Sequence, residues 1–215
     1  MVSQAQVINY FLQIFGRLGQ IIREPFKNVD VLWILIPLLV TLILLQVYFG
    51  RYKKETLGWN TAVGNSLALF FVGMNLFSWL YREQLIIGIF TNISDPTTAL
   101  IKTLIAILVI CESIYLITIN FFHLIPEGLA FKISSPKILN IIGIICIILV
   151  YSKTIPLDLL TLWASILLFI IILLVGSAIK AILPGAREGK IFTFMGQEVS
   201  EKEIEKEKKD DVFAG

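Results

Sequence analysis

The sequence predicts an all-α integral membrane protein, built as a bundle of about five transmembrane helices. Of its 215 residues, 57% are apolar and 16% are charged. Soluble domains contain about 45–50% apolar and about 25% charged residues. The apolar residues form runs long enough to cross a bilayer as helices, which takes about 20 residues. The charged residues lie almost entirely between those runs and at the carboxyl terminus. This pattern excludes a disordered chain, a disulfide-stabilised secreted domain and a nucleic-acid-binding domain.

Residues 1–28 are predicted to form an amphipathic helix that lies in the plane of the lipid headgroups. Between residues 4 and 24 apolar side chains recur at helical spacing, and the opposite face is polar and basic. Glu24 and Pro25 are expected to end this helix, because a residue before proline disfavours helical geometry. The alternative is a solvated helix that packs on another protein domain.

Residues 29–183 are predicted to form the transmembrane domain. The apolar run at 85–90 is too short to cross, so it is expected to lie flat or to re-enter the membrane partway. A loop is expected at 126–136, and Asp158 is expected to cap the start of the last span. The five spans are predicted at about 31–49, 61–81, 99–122, 138–151 and 157–179.

Residues 184–215 are predicted to form a soluble charged tail, with a short hairpin at 191–199 and a helix after Ser200.

The positive-inside rule places the more basic side of a membrane protein in the cytoplasm. The side that carries the carboxyl terminus is the more basic one, with eight bases against five, so the rule favours a multi-pass protein of the cell membrane with a cytoplasmic carboxyl terminus. With five spans, one side carries Arg17, Arg23, Lys27, Arg82 and Lys153, and the carboxyl-terminal side carries Arg51, Lys53, Lys54, Lys132, Lys137, Lys180, Arg187 and Lys190.

Glu112 falls at the centre of the third predicted span, where an ionised carboxylate costs roughly 2.5–3.5 kcal/mol. Its carboxylate is therefore expected to face protein or water. One hypothesis is a proton or cation site, and the other is a structural hydrogen bond to a neighbouring helix, with Asn75 as the candidate partner. A polar path through the bilayer would also include Tyr115 on the same helix and Thr161 and Ser165 on the fifth.

Small residues in the second span recur at a spacing typical of close helix packing, with Ala62 before Ser66 and Gly64 before Ala68. Both cysteines lie within apolar runs without a C-x-x-C motif, so they are expected to act as small packing residues.

No motif for catalysis, a metal or a cofactor occurs, and a single histidine excludes a multi-histidine metal site. The sequence thus predicts no cofactor and no catalytic residue. The favoured function is a non-enzymatic scaffold or assembly subunit. The alternatives are a small oligomeric channel or an ion- or proton-coupled transporter that uses Glu112, and thirdly an intramembrane enzyme. The predicted partners are the lipid bilayer and a second copy or another membrane protein, without nucleic acid.

Overall fold

A computed structural model describes residues 4–27, 29–51, 58–91 and 95–183. These residues are all-helical, without strands, and five of the helices are long and apolar enough to cross a membrane, as predicted. The predicted hairpin at 191–199 and the helix after Ser200 lie outside the described residues. In chain order the helices are α1 (Gln4–Arg23), α2 (Val29–Arg51), α3 (Trp59–Arg82), α4 (Leu85–Thr91), α5 (Pro96–Phe121), α6 (Glu127–Ile133), α7 (Pro136–Tyr151) and α8 (Leu159–Ile182).

Side-chain caps define where three of these helices begin. The Asp95 side chain accepts a hydrogen bond from the Thr97 amide at 3.2 Å, and α5 starts between them at Pro96. Asp158 accepts from the Thr161 amide at 2.8 Å, which confirms the predicted cap of α8. Each cap satisfies an amide that has no partner inside its helix. At α7 the cap is Ser135.

Helix α7 forms the centre of the bundle. The fourth candidate span, Glu127–Tyr151, includes α6 and α7, and 61% of its most apolar window is buried, against 22–33% in the other four. Helices α2, α3, α5 and α8 all pack against it. With 16 residues, α7 is about 24 Å long, less than the roughly 30 Å of the hydrocarbon core. Because its neighbours surround it, most residues of this short helix are buried.

Helices α3 and α5 form the most extensive pair. A Cβ atom at Gly73 would lie 2.7 Å from the Ile110 side chain and 3.2 Å from its backbone nitrogen, so only glycine fits this contact. One of the two predicted small-residue pairs, Ala62 with Ser66, is buried. Gly64 of the other pair is exposed, and a Cβ atom added there would meet no neighbouring atom within 4 Å.

Two segments between spans are helical. The run at 85–90 belongs to α4, which follows a turn at Gln84 with φ of 56° and packs on α5. The prediction of a loop throughout 126–136 is wrong, because α6 occupies most of it. Ala130 of α6 is fully buried, and Asn120 donates a hydrogen bond to the Ser134 hydroxyl at 2.7 Å. These tertiary contacts hold the short helix against the bundle.

The two ends of the bundle are formed by different elements. The amino-terminal end contains α1, the α3–α4 turn, the start of α5 and the loop 152–158; the carboxyl-terminal end contains α6 and the last turns of α2 and α8. Helix α1 packs against α8, with Ile14, Leu18 and Ile21 buried. Arg17 of α1 forms an ion pair with Asp158 at 3.3 Å. The amino-terminal helix is thus attached to the helical bundle.

Candidate functional site

Glu112 lies on the outside of the bundle. It is about 5 Å from the midpoint of α5, at 1.5 Å per residue, and its side chain is exposed. Tyr115, one turn further on, is 61% exposed. No hydrogen bond to either side chain forms within the described residues. We call the exposed residues Leu104, Leu108, Cys111, Glu112 and Tyr115 the outer face of α5.

Asn75 pairs with α7 and not with Glu112. Its side-chain oxygen accepts a hydrogen bond of 2.7 Å from the Tyr151 hydroxyl. The Tyr151 ring stacks on Trp79, with ring centroids 4.6 Å apart. Asn75 therefore helps to join α3 to α7, and the hypothesised hydrogen bond to Glu112 does not occur among the described residues.

Thr161 and Ser165 lie one turn apart on α8, and both are buried. The Thr161 hydroxyl donates to the Pro156 carbonyl at 2.6 Å, and the Ser165 hydroxyl donates to the Thr161 carbonyl at 2.7 Å. The structure thus brings Thr161 and Ser165 together and, separately, Glu112 and Tyr115. A continuous polar path that includes all of them stays a prediction.

A buried charged cluster occurs at the amino-terminal end, where the sequence predicted none. Its anion is Glu24, which lies in a short 3-10 turn after α1 and is 4% exposed. Glu24 accepts hydrogen bonds from the Ser152 hydroxyl at 2.8 Å and the Thr154 hydroxyl at 2.9 Å. Lys27 adds an ion pair at 3.2 Å. These contacts join the amino-terminal segment to the loop between α7 and α8.

Lys102 is the buried cation of this cluster. It lies in the second turn of α5, is 4% exposed and donates a hydrogen bond to the Ser152 carbonyl. Its ammonium nitrogen lies 5.6 Å from the centroid of the Trp79 ring, a cation–π distance. Its charge is repelled by that of Lys153 and attracted by those of Glu24 and Glu83. Ser152 therefore contacts both charges, through its hydroxyl and its carbonyl. We call Glu24, Lys27, Lys102, Ser152 and Thr154 the Glu24 cluster.

The surroundings of Glu24 stabilise its ionised form. Burial alone would raise the pKa of this carboxyl, but the hydrogen bonds from Ser152, Thr154 and Lys27 outweigh burial and hold the pKa below its usual value. Glu24 is thus a carboxylate at neutral pH. In chemical terms the cluster fixes two chain segments to each other through charge-assisted hydrogen bonds.

The sequence contains one signal that points toward this cluster without identifying its members. The helical pattern predicts a stop at Glu24 but assigns no role to Lys102. A lysine inside a predicted span requires a partner, because an unpaired ammonium is costly there. Acidic residues expected at the same end of the bundle were the candidates, and Glu24 is one of them.

No group of three or more His, Cys, Asp or Glu side chains is arranged to hold a metal ion in the part of the chain that the structure describes. The described residues form an all-helical fold with five helices that are long and apolar enough to span a membrane. The chain matches none of the protein families, curated proteins or solved structures with which it was compared.

Proposed function

We propose that this protein is a non-enzymatic assembly subunit that pairs with a second copy of itself through the outer face of α5. The observation that carries this proposal is the outward position of Glu112. A carboxylate that faces lipid near the middle of a span costs roughly 2.5–3.5 kcal/mol when ionised. Contact with another protein surface removes much of that cost if the surface supplies a hydrogen-bond donor.

A second copy supplies such a donor through Tyr115. Its phenol is 61% exposed, three residues after Glu112. When two parallel α5 helices face each other across a two-fold axis, Tyr115 of each copy lies about 4.5 Å along the helix from Glu112 of the other. A tyrosine side chain spans that offset. The pairing forms two equivalent hydrogen bonds between Tyr115 and Glu112.

The spacing of the outer face also suits a helix pair. Leu104, Leu108, Cys111 and Tyr115 follow one another at intervals of four, three and four residues. This spacing is close to the 3.5-residue repeat of two helices that wind around each other with a left-handed twist. Leu108 is 65% exposed and would become buried in the pair. Cys111 lies in the middle of the contact.

Cys111 provides the experiment. A disulfide requires Cα atoms about 4.4–6.8 Å apart, which parallel α5 helices in contact allow at this position. Oxidation of native membranes with copper phenanthroline should give a covalent dimer on a non-reducing gel. The dimer should persist in Cys146→Ser and disappear in Cys111→Ser. Glu112→Leu should reduce its yield, because both interchain hydrogen bonds are lost.

A cysteine elsewhere on the lipid-facing surface controls for random collision. Leu174 of α8 is 64% exposed, so Leu174→Cys on the Cys111→Ser background offers an equally accessible thiol. Self-pairing through α5 predicts a much faster reaction at Cys111 than at this control. Equal rates would overturn the proposal, as would crosslinking of Cys111 only to a different protein.

The proposal includes a location in the headgroup plane for α1. One side of this helix is buried against the bundle at Ile14 and Leu18, whereas Phe11 is 57% and Leu12 is 64% exposed. Apolar side chains on the free side favour insertion at the lipid boundary. Fluorescence of a tryptophan introduced by Phe11→Trp should be quenched by brominated lipids if α1 lies there.

The proposed orientation in the cell membrane has a cytoplasmic carboxyl terminus, on the count of eight bases against five along the sequence. Lys132 lies in α6 at the carboxyl-terminal end, and Lys153 lies at the amino-terminal end. In intact cells, an impermeant maleimide should label Lys153→Cys and spare Lys132→Cys, both on a Cys111→Ser background. Labelling with the opposite preference would reverse the orientation.

A further inference from the structure

A cavity of about 370 Å³ lies at the carboxyl-terminal end of the bundle, where α2 and α8 end and α7 begins. The polar part of its lining includes Lys137, Lys180 and Ser177. The apolar wall consists of Leu45, Phe49 and Phe131. The lining of the cavity therefore combines basic and apolar side chains. In a bundle whose helices cross the bilayer, this end lies near the lipid headgroups.

The two lysines of this cavity lack a compensating negative charge within the described residues. Lys137 donates a hydrogen bond of 2.7 Å to the Ser177 hydroxyl, which is neutral. That hydroxyl itself donates to the Leu173 carbonyl at 2.8 Å. The charge of Lys180 lies close enough to interact with that of Lys137. No carboxylate from the described part of the chain lines the cavity, so its electrostatic potential favours an anion.

Helix dipoles explain one of these lysines but not the other. Lys180 lies in the last turn of α8, where a cation stabilises the negative end of the helix. Lys137 is the second residue of α7, at the positive end of that helix, where a cation is unfavourable. A lysine at a helix amino terminus and beside another lysine is stabilised when an anion binds to both.

The packing of α8 makes room for this arrangement. A Cβ atom at Gly176 would lie 3.3 Å from the Lys137 side chain and 3.3 Å from the end of the Gln46 side chain. Glycine therefore lets the Lys137 side chain cross the surface of α8 and reach Ser177. The hydrogen bond to Ser177 fixes the position of the ammonium group, and both residues line the cavity.

We propose that this cavity binds the phosphate group of an anionic membrane phospholipid. The two lysines hold the phosphate, and the positive end of the α7 dipole lies beside it. Leu45, Phe49 and Phe131 contact the glycerol backbone and the first carbons of an acyl chain. A free phosphate ion would use the lysines but leave the apolar wall uncovered, which is why a lipid fits better. This site is separate from the outer face of α5, so either proposal can fail without the other.

Native mass spectrometry of the full chain in detergent, titrated with phosphatidylglycerol or phosphatidylcholine, tests the site. The wild type should bind phosphatidylglycerol clearly more tightly than phosphatidylcholine. Lys180→Gln should weaken phosphatidylglycerol binding about fivefold and Lys137→Gln/Lys180→Gln about 30-fold, from the usual contribution of a basic residue near anionic lipid. The single variant gives a usable result if the double variant fails to fold.

Matched controls separate this site from general charge effects. Lys132→Gln/Lys153→Gln removes two lysines outside the cavity and should leave phosphatidylglycerol binding unchanged. Lys180→Arg keeps the charge and should retain binding. Equal affinity of the wild type for both lipids would overturn the proposal, as would an equal loss in the control double variant.

Inorganic phosphate distinguishes the two sources of the phosphate group. Displacement of bound phosphatidylglycerol by excess inorganic phosphate would support recognition of the headgroup phosphate by the lysines. Binding of inorganic phosphate by a wild type that shows no preference for phosphatidylglycerol would overturn the assignment to a lipid.

Discussion

Replacement of Glu24 by alanine tests how the amino-terminal segment is held to the bundle. The change removes the acceptor of two buried hydroxyl hydrogen bonds, from Ser152 at 2.8 Å and from Thr154 at 2.9 Å. Hydrogen bonds to a charged group contribute about 1.5–3 kcal/mol each. Lys27 adds little, because its side chain is 56% exposed. We therefore expect Glu24→Ala to lower the free energy of unfolding by at least about 3 kcal/mol, the sum of the lower values for the two bonds.

Unfolding by sodium dodecyl sulfate in mixed micelles, followed by circular dichroism, gives this free energy. Limited proteolysis should also cleave α1 faster in the variant. A double-mutant cycle with Ser152→Ala isolates the interaction between the two side chains. A coupling energy below about 0.5 kcal/mol would refute the reasoning.

The matched control is Glu83→Ala at the same end of the bundle. Glu83 forms an ion pair of 2.9 Å with Lys153, but the two side chains are 40% and 66% exposed. Exposed ion pairs contribute about 0–1 kcal/mol. Equal losses for Glu24→Ala and Glu83→Ala would show that burial of the Glu24 cluster has no energetic consequence.

Three further predictions concern single residues. The pKa of Glu24 in the folded protein is below its unfolded value of about 4.3. The stability that ionised Glu24 contributes is therefore present above that pH and is lost as the pH falls through the folded pKa. Unfolding curves of Glu24→Gln should lack this acid-dependent loss of stability. Gly73→Ala should destabilise by about 1–3 kcal/mol because its Cβ meets Ile110, whereas Gly64→Ala should be neutral or stabilise by up to about 1 kcal/mol in the same assay. Liposomes that contain the wild type should show no proton flux above empty vesicles, and a flux that Glu112→Gln abolishes would favour the transporter hypothesis instead.

The number of spanning helices was predictable because bilayer thickness sets the length of an apolar run. The first span was predicted at 31–49, and the helix covers Val29–Arg51. The last was predicted to start at 157, yet α8 starts at Leu159, since Asp158 is its cap. A side-chain cap locates a helix start more closely than hydropathy does, because the capping residue itself has non-helical backbone geometry.

The neighbours of each helix could not be predicted in the same way. Spanning helices are apolar on all sides, so the side that faces lipid and the side that faces protein have similar composition. For this reason the sequence identified Glu112 but not the outward direction of its side chain. The Glu24 cluster was also beyond local patterns, because Glu24 and Ser152 are 128 residues apart.

The ionisable groups within the candidate spanning helices have different partners, as a comparison of Lys102, Lys137 and Glu112 shows. Lys102 is 4% exposed and has a carbonyl, an aromatic ring and a nearby carboxylate as partners. Lys137 has a neutral hydroxyl and a neighbouring lysine, and Glu112 has no hydrogen bond among the described residues. Lys102 thus has polar and aromatic partners inside the bundle, although the charge of Lys153 repels it. Because desolvation penalises the two incompletely paired groups in the same membrane, each is expected to gain its missing partner from outside the chain: an anion for Lys137, and a hydrogen-bond donor of a second copy for Glu112.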